Sequence, residues 1–250
     1  MQLLLSRILK YFNGCLDYDH MYRISSFIIK YYSQIFDMSL DEFLEKGNFT
    51  NVEVEDFYQH LGFHSYNDFV DKLYMDYQLR NDQIQSRMMM VEDYNYIDYI
   101  ESSLSQEELK SLVDELCTLI FGKKRIVIIG ALYPCSVSVD FQTDLITLGK
   151  NVVQYHQFDP DFRFDEDDLV IMISATGRIM KAYSKSLKPC GICNSDILLM
   201  TQNVKYANYD NMCADYTMHV KGKYDGMQFN YQIMMLFDML RIHYYKKYYN

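Results

Sequence analysis

Five short apolar runs in the second half of the chain constrain its fold more than any other feature. They occupy residues 125–130, 151–155, 168–173, 196–201 and 216–220. Each run has the length of a strand and is largely apolar, which is typical of a strand buried on both faces. Amphipathic segments separate them, one between the first two runs and one from Arg178 to Lys188. Strands that alternate with helices predict a parallel sheet with helices on its faces.

The first half of the chain differs, because its apolar residues recur at helical spacing. All three prolines lie at or after residue 134, so no proline interrupts a helix before that point. We predict helices over residues 21–36, from the N-cap Ser39 to Gly47, from the N-cap Thr50 to Gly62, and from Tyr66 to about Arg80. Short helices joined by glycine-containing turns are typical of a helix-turn-helix arrangement.

These patterns divide the 250 residues into two domains and a connector. We predict an all-α helix-turn-helix domain over residues 1–80, a connector over 81–104, and an α/β domain over 105–250. The α/β domain is expected to begin with a helix at Ser105, whose spacing to Glu108 is that of a capping box. It is expected to end with a helix from Gln228 to Tyr248.

Charge and hydropathy bear on the class of protein. Asp and Glu number 34 against 24 Lys and Arg, so the formal net charge is −10 and biases the chain against polyanions. The sequence shows no basic leader with a long apolar core, and no stretch approaches the roughly 18 to 20 apolar residues that a membrane span needs. A cytoplasmic protein with no membrane contact is expected.

Six cysteines are scattered along the chain and do not predict a disulfide framework. The pair Cys190 and Cys193 has the C-x-x-C spacing of a redox couple or of half a zinc site. No second pair completes a metal cage, so a structural role is favoured. The sequence therefore predicts neither a metal nor another cofactor.

The strongest functional signal follows the apolar run that ends at Ile173. Ser174-Ala-Thr176-Gly177-Arg178 places small hydroxyl residues and a glycine just before a predicted helix. Amide groups at the start of a helix, together with Ser and Thr hydroxyls, form an anion site that suits a phosphate. The alternative is that Ser174 or Thr176 only caps the helix. Gly130, which ends the first apolar run, is a weaker signal of the same kind.

Together these residues resemble the SIS (sugar isomerase) domain. That family has a Gly-x-Gly-x-Ser turn after its first strand and Ser-x-Ser-Gly-x-Thr after a later one. Gly130 matches the first glycine, and Ser174, Thr176 and Gly177 match the second motif. The sequence departs from the family at Leu132, Pro134 and Ile179, which replace a glycine, a serine and a threonine. The resemblance implies a sugar-phosphate site at Gly130, Ser174, Thr176 and Gly177.

The first half resembles the DNA-binding domain of the MurR/RpiR family of phosphosugar-responsive regulators. The family pattern of an aromatic residue, then Leu-Gly-Phe, then a second aromatic residue is matched by Phe57, by residues 61–63 and by Tyr66. A helix-turn-helix domain followed by a SIS domain is that family's layout. The resemblance implies a transcriptional regulator of carbohydrate metabolism that senses a sugar phosphate, binds a DNA operator and forms a homodimer or a higher homo-oligomer.

The candidate DNA contacts are Thr50, Asn51, Gln59 and Lys46. Glu53 and Asp56 stand where the family usually has a threonine and an arginine, and residues 50–60 contain no Lys or Arg. An acidic helix repels the phosphate backbone. The alternative is therefore a family member that binds a ligand or a protein partner without sequence-specific DNA binding.

Enzymatic activity is not expected. SIS domains also occur in sugar isomerases, whose chemistry needs a positioned general base. His156, Glu166 and His219 lie nearest to the predicted strand ends, but none belongs to a recognisable motif.

Overall fold

The computed structural model describes residues 3–182, 188–207, 214–222 and 226–249. The chain divides into two compact units. The first comprises Met1–Ser86 with Thr143–Pro160, and the second comprises Arg87–Gln142 with Asp161–Asn250. Among the described residues, no helix has both the length and the apolar character needed to cross a membrane.

The first unit is built mainly from helices, as predicted. Its helices are α1 (Leu4–Gly14), α2 (His20–Lys30), α3 (Leu40–Gly47), α4 (Asn51–His60) and most of α5 (Tyr66–Met90). Ser39 and Thr50 are the N-caps of α3 and α4, and each forms a capping box with the glutamate three residues later. Asn48 ends α3 with a φ of 51°, a left-handed conformation that is common at the carboxyl ends of helices.

Three features of these helices differ from the prediction. Helix α2 ends at Lys30 rather than at residue 36, and a separate 3-10 turn follows at Ile35–Asp37. Helix α1 is not predicted by the sequence, which shows only a short apolar run there. Its first amide is capped from a distance, because Leu4 N donates to the buried Asp76 Oδ2 at 2.7 Å. Helix α5 continues to Met90 rather than ending near Arg80, and Ile84 and Met88 are buried along the extension. Their spacing of four residues keeps both on one face of the helix.

The five predicted strands form one sheet. They are β1 (Arg125–Gly130), β2 (Asn151–Gln154), β3 (Asp168–Ile173), β4 (Asp196–Thr201) and β5 (Tyr216–His219), in the order β2-β1-β3-β4-β5. The pairs β1–β3, β3–β4 and β4–β5 are parallel, and β3 is buried along its whole length. The predicted α/β fold, a parallel sheet flanked by helices and preceded by a helical region, is confirmed.

Of the remaining helices, two are long and the others are short. They are α6 (Gln106–Gly122), α7 (Leu132–Val137), α8 (Val139–Thr147), α9 (Ile179–Ala182), α10 (Val204–Ala207) and α11 (Gly226–Tyr248). Ser105 caps α6 in the predicted capping box with Glu108. The long helices α6 and α11 pack against each other in the second unit.

An ion pair fixes the register of β1 against β3 at their amino ends. Arg125 donates from Nε to Asp168 Oδ1 at 2.7 Å and from a terminal nitrogen to Oδ2 at 2.6 Å. Asp168 is only 1% exposed, and such two-point pairs are geometrically specific. The same register places Gly130 opposite Ile173 at the carboxyl ends. In open parallel sheets, ligands bind beyond the carboxyl ends, where the strand order reverses, and β1 and β3 lie at that point here.

Candidate functional site

Gly130 lies where two chain segments approach closely. A Cβ atom added to it would lie 3.2 Å from Ile173 O and 3.3 Å from Cys135 Sγ. Glycine is therefore the residue that fits this turn without displacing a neighbour. Burial raises the pKa of the Cys135 thiol to about 11, so this cysteine is a protonated neighbour of the turn at neutral pH.

The loop after β3, residues 174–178, has a defined backbone. Ser174 N continues the sheet by donating to Met200 O at 3.0 Å, and Gly177 N donates to Ser174 O at 3.0 Å. Gly177 has a φ of 72°, and a Cβ atom there would lie 2.1 Å from the Tyr206 ring. Glycine is thus favoured at this position both by its conformation and by the adjacent aromatic ring.

Residues at the end of β4 and directly after it donate hydrogen bonds to the carbonyl groups of this loop. Ala175 O accepts from Gln202 N at 3.0 Å and from Thr201 Oγ1 at 3.2 Å. Thr176 O accepts from Asn203 Nδ2 at 2.9 Å. The sequence analysis did not identify these anchors, although a polar Thr-Gln-Asn run at the end of an apolar strand is a readable signal.

Several hydrogen-bond donors of this loop have no acceptor among the residues that the structure describes. The amide groups of Ala175, Thr176 and Arg178 make no hydrogen bond to any residue that the structure describes, nor does Ser174 Oγ. Arg178 Nε donates to Thr176 Oγ1 at 3.1 Å, which places a positive charge beside the hydroxyl. Backbone donors next to hydroxyls and a guanidinium group form an arrangement that can bind an anion.

Two further polar side chains lie at the carboxyl ends of β4 and β5. Gln202 is 1% exposed and His219 is 7% exposed. Gln202 Oε1 and both ring nitrogens of His219 have no hydrogen-bond partner within the described part of the chain. Buried polar atoms are costly unless they are hydrogen-bonded. These atoms therefore mark a place where a ligand or water would be stabilised.

Of the three residues considered as a general base, His219 lies at the carboxyl end of β5. Glu166 precedes β3, is exposed, and its backbone oxygen accepts from Lys123 Nζ. His156 lies in the first unit, where its ring packs against those of Phe12 and Tyr22, with centroid distances of 5.0 and 5.5 Å. Burial lowers the pKa of His156.

The residues predicted to contact DNA lie in and around α3 and α4. Thr50 Oγ1 donates to Glu53 Oε2 at 2.9 Å and accepts from Glu53 N at 3.3 Å, so its hydroxyl is used within the capping box. Gln59 Nε2 donates to Glu55 Oε1 at 2.9 Å. Asn51 begins α4 and is exposed.

Two of the acidic residues of α4 contact side chains of α2. Glu53 lies 3.3 Å from Arg23, and Asp56 lies 2.8 Å from His20. Hydrogen bonds from the Thr50 backbone and side chain lower the pKa of Glu53, so this carboxylate stays charged. The sequence did not reveal these pairs because their partners lie about thirty residues apart.

Lys46 lies on a cleft of about 250 Å³ that also includes Arg23 and Lys30. The Arg23 guanidinium lies 5.4 Å from the centre of the Phe49 ring, and Lys30 Nζ lies 4.8 Å from that of Tyr31. Cations held against aromatic faces are oriented as well as attracted. We call this cation-lined surface beside the turn between α3 and α4 the Lys46 cleft.

The two cysteines of the C-x-x-C pair, Cys190 and Cys193, are not joined by a disulfide bond. Within the described residues, no group of three or more His, Cys, Asp and Glu side chains is arranged to hold a metal ion.

No protein-family model and no curated protein sequence matches this chain. Solved structures do resemble it. The NanR protein of Vibrio vulnificus, complexed with ManNAc-6P, is 14% identical with a TM-score of 0.43, and the match covers 98% of this chain and 92% of that one. The sugar isomerase domain of an RpiR transcription factor from Sphaerobacter thermophilus is 12% identical with a TM-score of 0.40, covering 67% and 90%.

A third similar structure is a hypothetical protein of Methanococcus jannaschii for which a 3-hexulose-6-phosphate isomerase function has been inferred. It is 21% identical with a TM-score of 0.46, and the match covers 67% of this chain and 90% of that one. The proteins similar to this chain thus include a transcription factor and an inferred isomerase. The fold itself rests on the strand order and register of this chain.

Proposed function

We propose that the loop of residues 174–178 binds the phosphate group of a phosphorylated sugar. The observation that carries this proposal is the set of unused donors on the loop: three backbone amides and the hydroxyl of Ser174. Thr176 Oγ1 and the Arg178 guanidinium would add to them, because charge-assisted hydrogen bonds to phosphate are strong. Gly130 and Gly177 would allow the close approach of the ligand.

The sugar ring would bind beside the phosphate, against Gln202 and His219. Their buried, unpaired polar atoms are suited to sugar hydroxyl groups, which both donate and accept hydrogen bonds. A ligand that satisfies these atoms removes a cost that the folded protein otherwise bears. Gln202 follows β4 and His219 ends β5, and the loop of residues 174–178 follows the neighbouring strand β3, which supports a shared site at these carboxyl ends.

The function that we propose for the whole chain is transcriptional regulation in response to this sugar phosphate, with no enzymatic activity. Helices α3 and α4 would form the helix-turn-helix, in the domain predicted over residues 1–80. Asn51 and Gln59 would face the bases, and Thr50 and Lys46 the backbone, with Lys46 and Lys30 attracting phosphate. A homodimer would pair two such units on one operator, and the sugar phosphate would change their geometry through the domain predicted over residues 105–250.

Ligand binding can be tested by isothermal titration calorimetry with a panel of sugar phosphates and aminosugar phosphates. The double variant Ser174→Ala/Thr176→Ala should bind the best ligand at least about tenfold more weakly, because two hydrogen bonds to a charged group are lost. The control Ser103→Ala/Ser111→Ala removes two hydroxyls from exposed positions outside the loop and should bind normally. Equal affinity in the two double variants would exclude the loop as the phosphate site.

The second candidate is a ligand-sensing or protein-binding module that does not bind DNA sequence-specifically. The observation that favours it is the composition of α4, which carries three acidic residues and no Lys or Arg. Fluorescence anisotropy with DNA from the protein's own upstream region separates the two candidates. A regulator should bind at low salt and weaken steeply as salt rises, and no binding at low salt would favour the second candidate.

A further inference from the structure

A second cleft lies within the first unit, bounded by α1, α2 and α4, and it plays no part in the function proposed above. Its volume is about 360 Å³, which falls within the range of sites that hold small organic molecules. Its walls are formed mainly by apolar side chains. These are Ile8 of α1, Met21 of α2, Phe57 of α4 and the adjacent Leu61.

Three basic residues surround this apolar interior. Arg7 and Lys10 come from α1, and His60 is the last residue of α4. All three are exposed, and none forms an ion pair with a residue that the structure describes. The neighbouring side chains of Arg23 and His20, by contrast, both contact carboxylates of α4. In a chain with a formal net charge of −10, unpaired basic residues around one cleft are a local exception.

A buried hydroxyl group lies in the wall of the same cleft. Ser25 is 0% exposed, and its Oγ has no hydrogen-bond partner among the described residues. Serine within a helix can bond to the carbonyl four residues earlier, but Ser25 does not do so here. The hydroxyl group of Tyr11, also on the wall, is used by Asp19 at 3.0 Å. Ser25 is therefore a polar group that a ligand in the cleft could satisfy.

We propose that this cleft binds a small organic anion that has an apolar body and one carboxylate or phosphate head. The body would contact the apolar walls, where burial of apolar surface is favourable. The head would lie at Arg7, Lys10 and His60, which can all donate to an anionic oxygen. A polar atom on the body would bond Ser25 Oγ. A sugar ring is a poor fit, because apolar walls leave its hydroxyl groups unsatisfied.

The test is isothermal titration calorimetry of the full chain with octanoate, which carries a carboxylate head, and with phenyl phosphate, which carries a phosphate head. Octanamide, which has the same body as octanoate but no charge, is the matched neutral probe. At least one of the two anions should bind, and octanamide should bind markedly more weakly than octanoate. The variant Arg7→Gln/Lys10→Gln should weaken anion binding by about tenfold or more, and its melting temperature should remain close to that of the wild type because both residues are exposed.

Two controls make the outcome specific. Arg87→Gln/Lys188→Gln removes the same charge at exposed positions in the other unit and should leave anion binding unchanged. Ser174→Ala/Thr176→Ala should also leave it unchanged, which separates this cleft from the sugar-phosphate loop. The proposal is overturned if neither anion binds at millimolar concentration, if octanamide binds as well as octanoate, or if the control variants lose as much affinity as Arg7→Gln/Lys10→Gln.

Discussion

The substitution Gly177→Ala tests the loop after β3 most directly. Alanine at a φ of 72° costs about 1–2 kcal/mol in backbone strain. Its Cβ would also lie 2.1 Å from the Tyr206 ring, so the ring must move, at a cost of about 1–3 kcal/mol for a local overlap. The expected loss of unfolding free energy is therefore about 2–5 kcal/mol, a large part of the roughly 5–15 kcal/mol that stabilises a typical domain.

A double-mutant cycle separates the two costs. In a Tyr206→Ala background the overlap is absent, so Gly177→Ala should cost only the backbone strain of about 1–2 kcal/mol. The measurement is urea unfolding followed by far-UV circular dichroism, since the chain contains no tryptophan. Equal costs in the two backgrounds would show that the Tyr206 contact contributes nothing. A cost below about 0.5 kcal/mol in both, which is typical of neutral surface sites, would refute the left-handed conformation at Gly177.

Three further predictions concern stability. Arg80→Met should lower the unfolding free energy by about 3–5 kcal/mol, because Arg80 pairs at 2.6 Å with the fully buried Asp144; a loss below about 1 kcal/mol in urea unfolding would contradict this pairing. Ser105→Ala should cost about 1 kcal/mol by removing the capping box of α6, and Ser105→Asp, which also caps, should recover most of it in the same assay. Burial lowers the pKa of His156, so the unfolded chain binds more protons and stability should fall as pH drops below about 6.5. His156→Phe should make this acid loss shallower, and an unchanged pH profile of the melting temperature would argue against the assignment.

Much of the fold could be predicted because its determinants are close in sequence. The glutamates that complete the capping boxes at Ser39, Thr50 and Ser105 lie three residues away, so the helix starts follow from short motifs. The strands at residues 125–130, 168–173 and 196–201 have the predicted bounds, since a largely apolar run of strand length between turn residues is a local pattern.

The candidate site could be predicted only in part, for the same reason. The hydroxyl residues and Gly177 are contiguous, so the sequence indicates a possible anion loop. Its anchors at Gln202 and Asn203 lie some twenty-five residues further along the chain. Which amide groups stay unused depends on these distant partners. Sequence alone therefore left the choice between an anion site and a helix cap open.

Short-range periodicity, capping and turn chemistry thus determined helices α3 and α4 and the strands of the second half from the sequence by itself. Only the tertiary structure decided which distant groups meet. It supplied Asp76 as the cap of α1, paired the acidic residues of α4 with Arg23 and His20, and gathered Arg7, Lys10 and His60 around one cleft. The physical reason is that dihedral preferences and hydrophobic spacing act over a few residues, whereas hydrogen bonds and ion pairs between helices depend on how the chain packs.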